Sequence, residues 1–151
     1  MLYRPHSMPR EVTHLLIGEI YHPPKANNFQ RLDYLVTSMD EFTHAHPYAG
    51  ILLLGDFNQL PDSQLKSFPL QQIVTCPTRG NSILDKIYTN VTDWYQTPII
   101  LPGVSRSDHE AIHLKPAADP PRPSRSILEE RKKKEEETTG RKYNVRICYA
   151  G

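Results

Sequence analysis

Three short segments of this chain set acids, amides and an imidazole where apolar runs stop. Residues 51–58, ILLLGDFN, pass from Ile51, Leu52, Leu53 and Leu54 to Asp56 and Asn58, a carboxylate and an amide two residues apart. The four apolar residues predict a short buried strand, and Gly55 lets the backbone turn tightly beside whatever Asp56 and Asn58 touch. In LDKIYTN, Asp85 sits among Ile83, Leu84 and Ile87, and a carboxylate inside an apolar strand needs a partner or a function. In SRSDHEAI, Ser107, Asp108 and His109 precede a last apolar run. Carboxylate and imidazole at strand ends are the groups of general acid–base chemistry, and open α/β sheets keep their chemistry at such ends. Each segment also has a plainer reading. Asp-x-Asn is an Asx turn, Asp85 caps a strand edge, and His109 is a surface histidine.

The elements that must position these residues follow from periodicity. Residues 13–21, THLLIGEIY, predict a strand ended by Pro23 and Pro24, which cannot donate to a ladder. A helix follows, capped by Asn27 or Asn28. Its apolar positions Phe29, Leu32, Leu35, Val36, Met39 and Phe42 recur at helical spacing until Pro47, a stripe that faces a sheet. Further strands are predicted at 70–75, 83–88, 97–101 and 111–114, with a loop at 59–69. Strand, one-faced helix, strand is the order of an α/β layer.

Composition bounds the rest. The chain has 151 residues, 38% of them apolar, with 14 prolines and a formal net charge of +1. That charge gives no broad footprint for a polyanion, so nucleic-acid binding would rest on a local site. Cys76 and Cys148 lie far apart with no metal-like spacing, which fits a reducing compartment. No signal peptide or membrane-length apolar stretch is legible, so an intracellular protein is expected, without membrane contact. Composition changes after Pro116. Residues 1–116 read as one domain and 117–151 as a tail, with the proline-rich ADPPRPSRS, the charged block EERKKKEEE and an alternating end at Tyr143, Val145, Ile147 and Tyr149. Disorder is expected for most of that tail.

YHPP, LLLGDFN, LDKIYTN and SDH, in this order and spacing, resemble the endonuclease/exonuclease/phosphatase superfamily. Within it, TRGNSILDKIYTN resembles the endonuclease domain of non-LTR retrotransposon polyproteins, of the LINE or jockey kind. The resemblance runs over about residues 3–116. It implies a four-layered α/β sandwich that hydrolyses phosphodiester or phosphomonoester bonds with a divalent ion, usually Mg²⁺, with Mn²⁺ as a substitute. It also implies roles. Asp56 would orient the attacking water, Asn58 and Tyr21 would donate to the phosphate, and His109 would stabilise the charged phosphoryl group with Asp85 holding its ring. Asp108 would position the metal, and Ser107 would support by hydrogen bonding.

The family's first half supplies an Asn and a Glu that is the main metal ligand, and both lie before the point matched by Met1. The expected fold is therefore a partial sandwich with its N-terminal half absent. The expected function is a fragment of a DNA endonuclease that lacks activity by itself. DNA is the partner implied for the complete parent, no small-molecule cofactor is implied, and no reverse-transcriptase segment is legible. Two alternatives stand beside this. One is an active nuclease or phosphatase completed by a surrogate ligand such as Glu19, or by a partner chain. The other is a non-enzymatic remnant that binds nucleic acid or protein.

Overall fold

The fold is described from a computed structural model, for residues 2–3 and 12–118. The chain divides into two units, Met1–Pro121 and Arg122–Gly151, and every described residue belongs to the first. The expectations for the charged block and for the alternating end at 143–149 lie outside the described residues.

Strand β1 (Leu2–Tyr3), strand β2 (Leu15–Tyr21), helix α1 (Asn28–Ala45) and strand β3 (Gly50–Asp56) come first. Strands β4 (Gln71–Gln72), β5 (Asp85–Thr89), β6 (Ile99–Leu101) and β7 (Ala111–His113) follow, with 3₁₀ turns at Ser63–Ser67 and Thr92–Trp94. The five-stranded sheet has the order β1-β2-β3-β5-β4, and β6 and β7 form a second, two-stranded sheet. Strands β2 and β3 run parallel across the α1 crossover, and the other pairs are antiparallel. This is a mixed α/β domain, with one α-helix among the described residues.

Strand β3 is apolar over residues 51–54, where it is covered on both faces. Ile51 and Leu53 join Leu32 and Met39 of α1, together with Phe57, Leu65 and Tyr88, in one core cluster. Leu52 and Ile87 lie in a second cluster, against which Leu54, Ile100 and Ile112 pack. Helix, larger sheet and smaller sheet thus form three layers. The Asn27 side chain caps α1 by accepting the Gln30 N–H at 3.2 Å. The predicted stripe holds for Leu32, Leu35, Val36, Met39 and Phe42. Phe29 departs from it at 77% exposure, because it lies in the first turn, short of the sheet. The predicted strand at 70–75 contracts to Gln71–Gln72, although the Ile73 N–H still donates to the Ile87 carbonyl at 3.0 Å.

Two features fix the path of the chain around Asp56. Gly55 has φ +135°, and a Cβ there would lie 2.0 Å from the Ile20 carbonyl oxygen, so β2 and β3 can pair closely only at a glycine. Beyond Asn58, Asp62 Oδ2 accepts hydrogen bonds from Lys86 Nζ at 2.6 Å and from the Tyr88 hydroxyl. This ties the loop to β5. Burial acts to raise the Asp62 carboxyl, but the bonds from Lys86 and Tyr88 and the Lys86 charge outweigh it and hold the group below its ordinary 3.8.

Gly55→Ala is expected to lower unfolding free energy by at least about 2 kcal/mol. Gly80→Ala, at φ +56° with nothing within 4 Å of the new Cβ, should cost only about 1 kcal/mol. Urea unfolding followed by circular dichroism separates the two. For Asp62, a carboxyl depressed in the folded state stabilises above its unfolded value, and that contribution is lost as pH falls through the folded value. Asp62→Asn should therefore remove on the order of 1–2 kcal/mol at neutral pH and flatten the fall in stability between about pH 5 and pH 2, measured by urea midpoints across that range.

Candidate functional site

The register of the larger sheet builds one row of side chains at its rim. Tyr21 of β2 is the partner of Asp56 of β3, and Asp56 is the partner of Asp85 of β5. Residues directly opposite each other share a face, so these three project to the side where the smaller sheet packs. The loop between β6 and β7 brings His109 to the same place. Its Nδ1 lies 2.8 Å from Asp85 Oδ2, with both side chains 21% exposed. A carboxylate can only accept, so the imidazole proton sits on Nδ1 and Nε2 is left to face a ligand. One ligand atom each from Asp56, Asp85 and His109 lies within 4.8 Å of the others.

Asp56 is held by Asn58. Its Oδ1 accepts the Asn58 N–H at 3.0 Å and its Oδ2 accepts Asn58 Nδ2 at 2.8 Å. The Asx turn is therefore real, and it aims the carboxylate. Asn58 has φ +44°, a conformation that asparagine tolerates better than most residues. Its second amide proton goes to the His22 carbonyl at 2.8 Å, so both protons of Asn58 are committed. The role implied by resemblance, donation to a phosphate oxygen, has no free proton in this arrangement. Asn58 acts on Asp56 instead.

Asp108 is placed differently. It lies outside the Asp56, Asp85 and His109 group, because its Oδ2 pairs with Arg79 Nη2 at 2.5 Å at the exposed rim. Ser107 Oγ accepts the His109 N–H at 3.1 Å, a supporting bond within the loop. Tyr21 is 64% exposed beside Asp56. Glu19, the partner of Leu54, is exposed and outside the three-residue group. Gly103 lets the loop close, since a Cβ there would meet the His109 carbonyl oxygen at 2.3 Å.

Sequence reasoning assigned nothing to Arg79 or to the His22 backbone. Arg79 meets Asp108 across 29 positions, a pairing no local spacing signals. His22 extends the ladder by donating its N–H to the Asp56 carbonyl at 2.9 Å, and its ring Nε2 lies 2.7 Å from Asn28 Oδ1 at the start of α1. The prolines that end β2 thereby leave His22 linking strand, helix and Asp56 loop. No family model and no curated protein sequence matches the chain.

The donor set of this rim is two carboxylates and one imidazole nitrogen, with several carboxylate oxygens already accepting hydrogen bonds. Mg²⁺ favours all-oxygen sites, whereas Mn²⁺ takes imidazole more readily. Two carboxylates beside an imidazole fit a weakly held divalent ion, for which Mn²⁺ is a paramagnetic probe. Paramagnetic broadening by Mn²⁺ is expected to centre on Asp56, Asp85 and His109 in amide spectra of the full chain. Asp56→Ala should weaken it about tenfold or more. Broadening spread evenly over exposed acids, and unchanged in the variant, would rule the site out.

Proposed function

We propose that this chain carries the phosphate-handling part of a metal-dependent phosphodiester hydrolase site, similar to the endonuclease domain of non-LTR retrotransposons. By itself it binds phosphate more readily than it cleaves. The single observation that carries the reading is the Asp85–His109 pair with Asp56 beside it, drawn from three segments that sequence motifs had already linked. Further support comes from the three layers of helix, sheet and sheet, an order that a partial four-layered α/β sandwich would have. The outward residues Ile99 and Leu101 of β6, 44% and 40% exposed, suit a face that further layers cover in the complete fold.

In this reading His109 acts as the imidazolium: its Nδ1–H stays on Asp85 and its Nε2–H donates to a phosphoryl oxygen, stabilising charge as the bond to the leaving oxygen breaks. Asp85 keeps the ring in one orientation and offsets the imidazolium charge. Asp56, aimed by Asn58, accepts a hydrogen bond from the attacking water and orients it. Tyr21 stands on the same row, where its hydroxyl can donate to the phosphate. A divalent ion held by Asp56 and Asp85 would supply Lewis-acid polarisation of the phosphoryl group. The near-neutral chain supplies little field to gather DNA. Among the described residues no third carboxylate joins the group, so metal retention and turnover are expected to be weak.

Two measurements test this. Inorganic phosphate should shift the His109 imidazole resonances of residues 1–151, and the shift should weaken in Asp85→Asn. No response to phosphate would remove the basis of the reading. In the second, supercoiled plasmid is incubated with matched amounts of wild type, Asp56→Ala and His109→Ala in Mg²⁺ or Mn²⁺. No nicking above background is expected from any of them. Clear nicking by the wild type that both substitutions abolish would show that these residues suffice for catalysis, against the proposal.

A further inference from the structure

We infer that Thr78 is a positioning residue of this site, a buried residue whose hydroxyl holds the start of the Asp85 strand and whose backbone carbonyl holds the His109 loop. The inference rests on the phosphodiester reading only for its functional meaning, since the geometry stands by itself. Thr78 is fully buried, at 0% exposure, although it lies in a loop whose neighbours Pro77, Arg79 and Gly80 are exposed. A threonine buried there needs partners for its hydroxyl and both backbone groups. Every one of them is directed at the site or at the turn that carries it. Thr78 Oγ1 accepts the Leu84 N–H at 3.1 Å and the Asp85 N–H at 3.0 Å. Its carbonyl accepts the Glu110 N–H at 2.7 Å, one residue after His109. Its own N–H donates to the Ser82 carbonyl at 2.9 Å, closing the turn.

The same network reaches the third member of the site. The Leu84 carbonyl, in the residue whose N–H Thr78 receives, accepts the Phe57 N–H at 2.9 Å, next to Asp56. Asp56, Asp85 and His109 are each adjacent to, or part of, a peptide unit in this one set of bonds. Asp85 opens β5, so its N–H lies at the end of the strand, and there a side-chain hydroxyl takes the place of a neighbouring carbonyl. Arg79 and Asp108 make a second, exposed tie between the same two segments, one residue from Thr78 and one from His109. The Thr78 bonds are the buried ones and set the geometry.

Thr78→Val keeps the shape and removes the acceptor. Thr78→Ser keeps the acceptor and removes the methyl. Thr89 is a matched control, because it too is 0% exposed and accepts a backbone N–H, from Val91 at 3.1 Å, at the opposite end of β5. The readout is the Nδ1–H of His109 in imidazole ¹⁵N–¹H spectra of the full 151-residue chain, assigned by its loss in His109→Gln. In the wild type this proton should be visible and slow to exchange. Thr78→Val should lose about tenfold or more in exchange protection, as an unmade buried hydrogen bond implies, while Thr78→Ser and Thr89→Val stay near wild type. Retention in Thr78→Val, or a loss shared equally with Thr89→Val, would overturn the assignment. Should Thr78→Val not fold, loss of the signal in folded Thr78→Ser would overturn it and retention would uphold it. Because the signal needs neither metal nor DNA, absence of nicking bears on the hydrolase reading alone.

Discussion

Two carboxylates face each other across neighbouring strands, and this opposition constrains the rest of the molecule. Asp56 and Asp85 are direct partners in the β3–β5 register, where like charges destabilise a sheet unless each has donors of its own. Asn58 supplies them to Asp56, and His109 supplies one to Asp85. A slip of one residue of β5 along β3 would remove the opposition, but it would also turn Tyr88 out of the helix-side core. The apolar pattern thus enforces a register that electrostatics alone would avoid. Storing an unfavourable contact at a rim, with the core holding it in place, is how a fold keeps reactive groups together.

The same strand shows charge put to the opposite use. Lys86 follows Asp85 and projects to the other face, where it meets Asp62 and lies 5.9 Å from the centre of the Phe57 ring. Asp62 also takes the Tyr88 hydroxyl, which burial and that carboxylate push well above its ordinary value of 10. Every group there is satisfied within the protein. On the site face, His109 Nε2 has no hydrogen-bond partner among the described residues. Alternation along four residues, 85 to 88, separates the two sets of groups.

Much of this was legible where a residue's need is local or unambiguous. The run 51–54 announces a strand buried on both sides, and the spacing of Leu32, Leu35, Val36, Met39 and Phe42 announces a helix face. Asp85 announces a partner because a carboxylate among apolar residues requires a donor, and His109 was the imidazole set at another strand end. What escaped was choice among equivalent partners. Nothing in the sequence says that Asn58 spends both amide protons on Asp56 and His22, or that Asp108 meets Arg79. Each alternative satisfies the same valences. Thr78 was invisible for a related reason, since a threonine beside proline and arginine reads as loop until the fold buries it.

These commitments differ in strength, and the difference bears on what the site can become. Asn58 bonds are part-buried and number three, with one closing a turn, so redirecting its amide would leave Asp56 and the His22 carbonyl unmet. The Arg79–Asp108 pair is different. Its side chains are 44% and 67% exposed, a setting in which an ion pair is worth only about 0–1 kcal/mol. Water replaces either partner at little cost. Asp108 is therefore the group at this rim that an incoming cation, or an incoming phosphate drawn to Arg79, can most easily rearrange. Asp56 and Asp85 are held by partners inside the protein, and Asp108, next to His109 in sequence, is the adjustable one. In the proposed reading the site would be preorganised where orientation sets the chemistry and loose where a ligand enters.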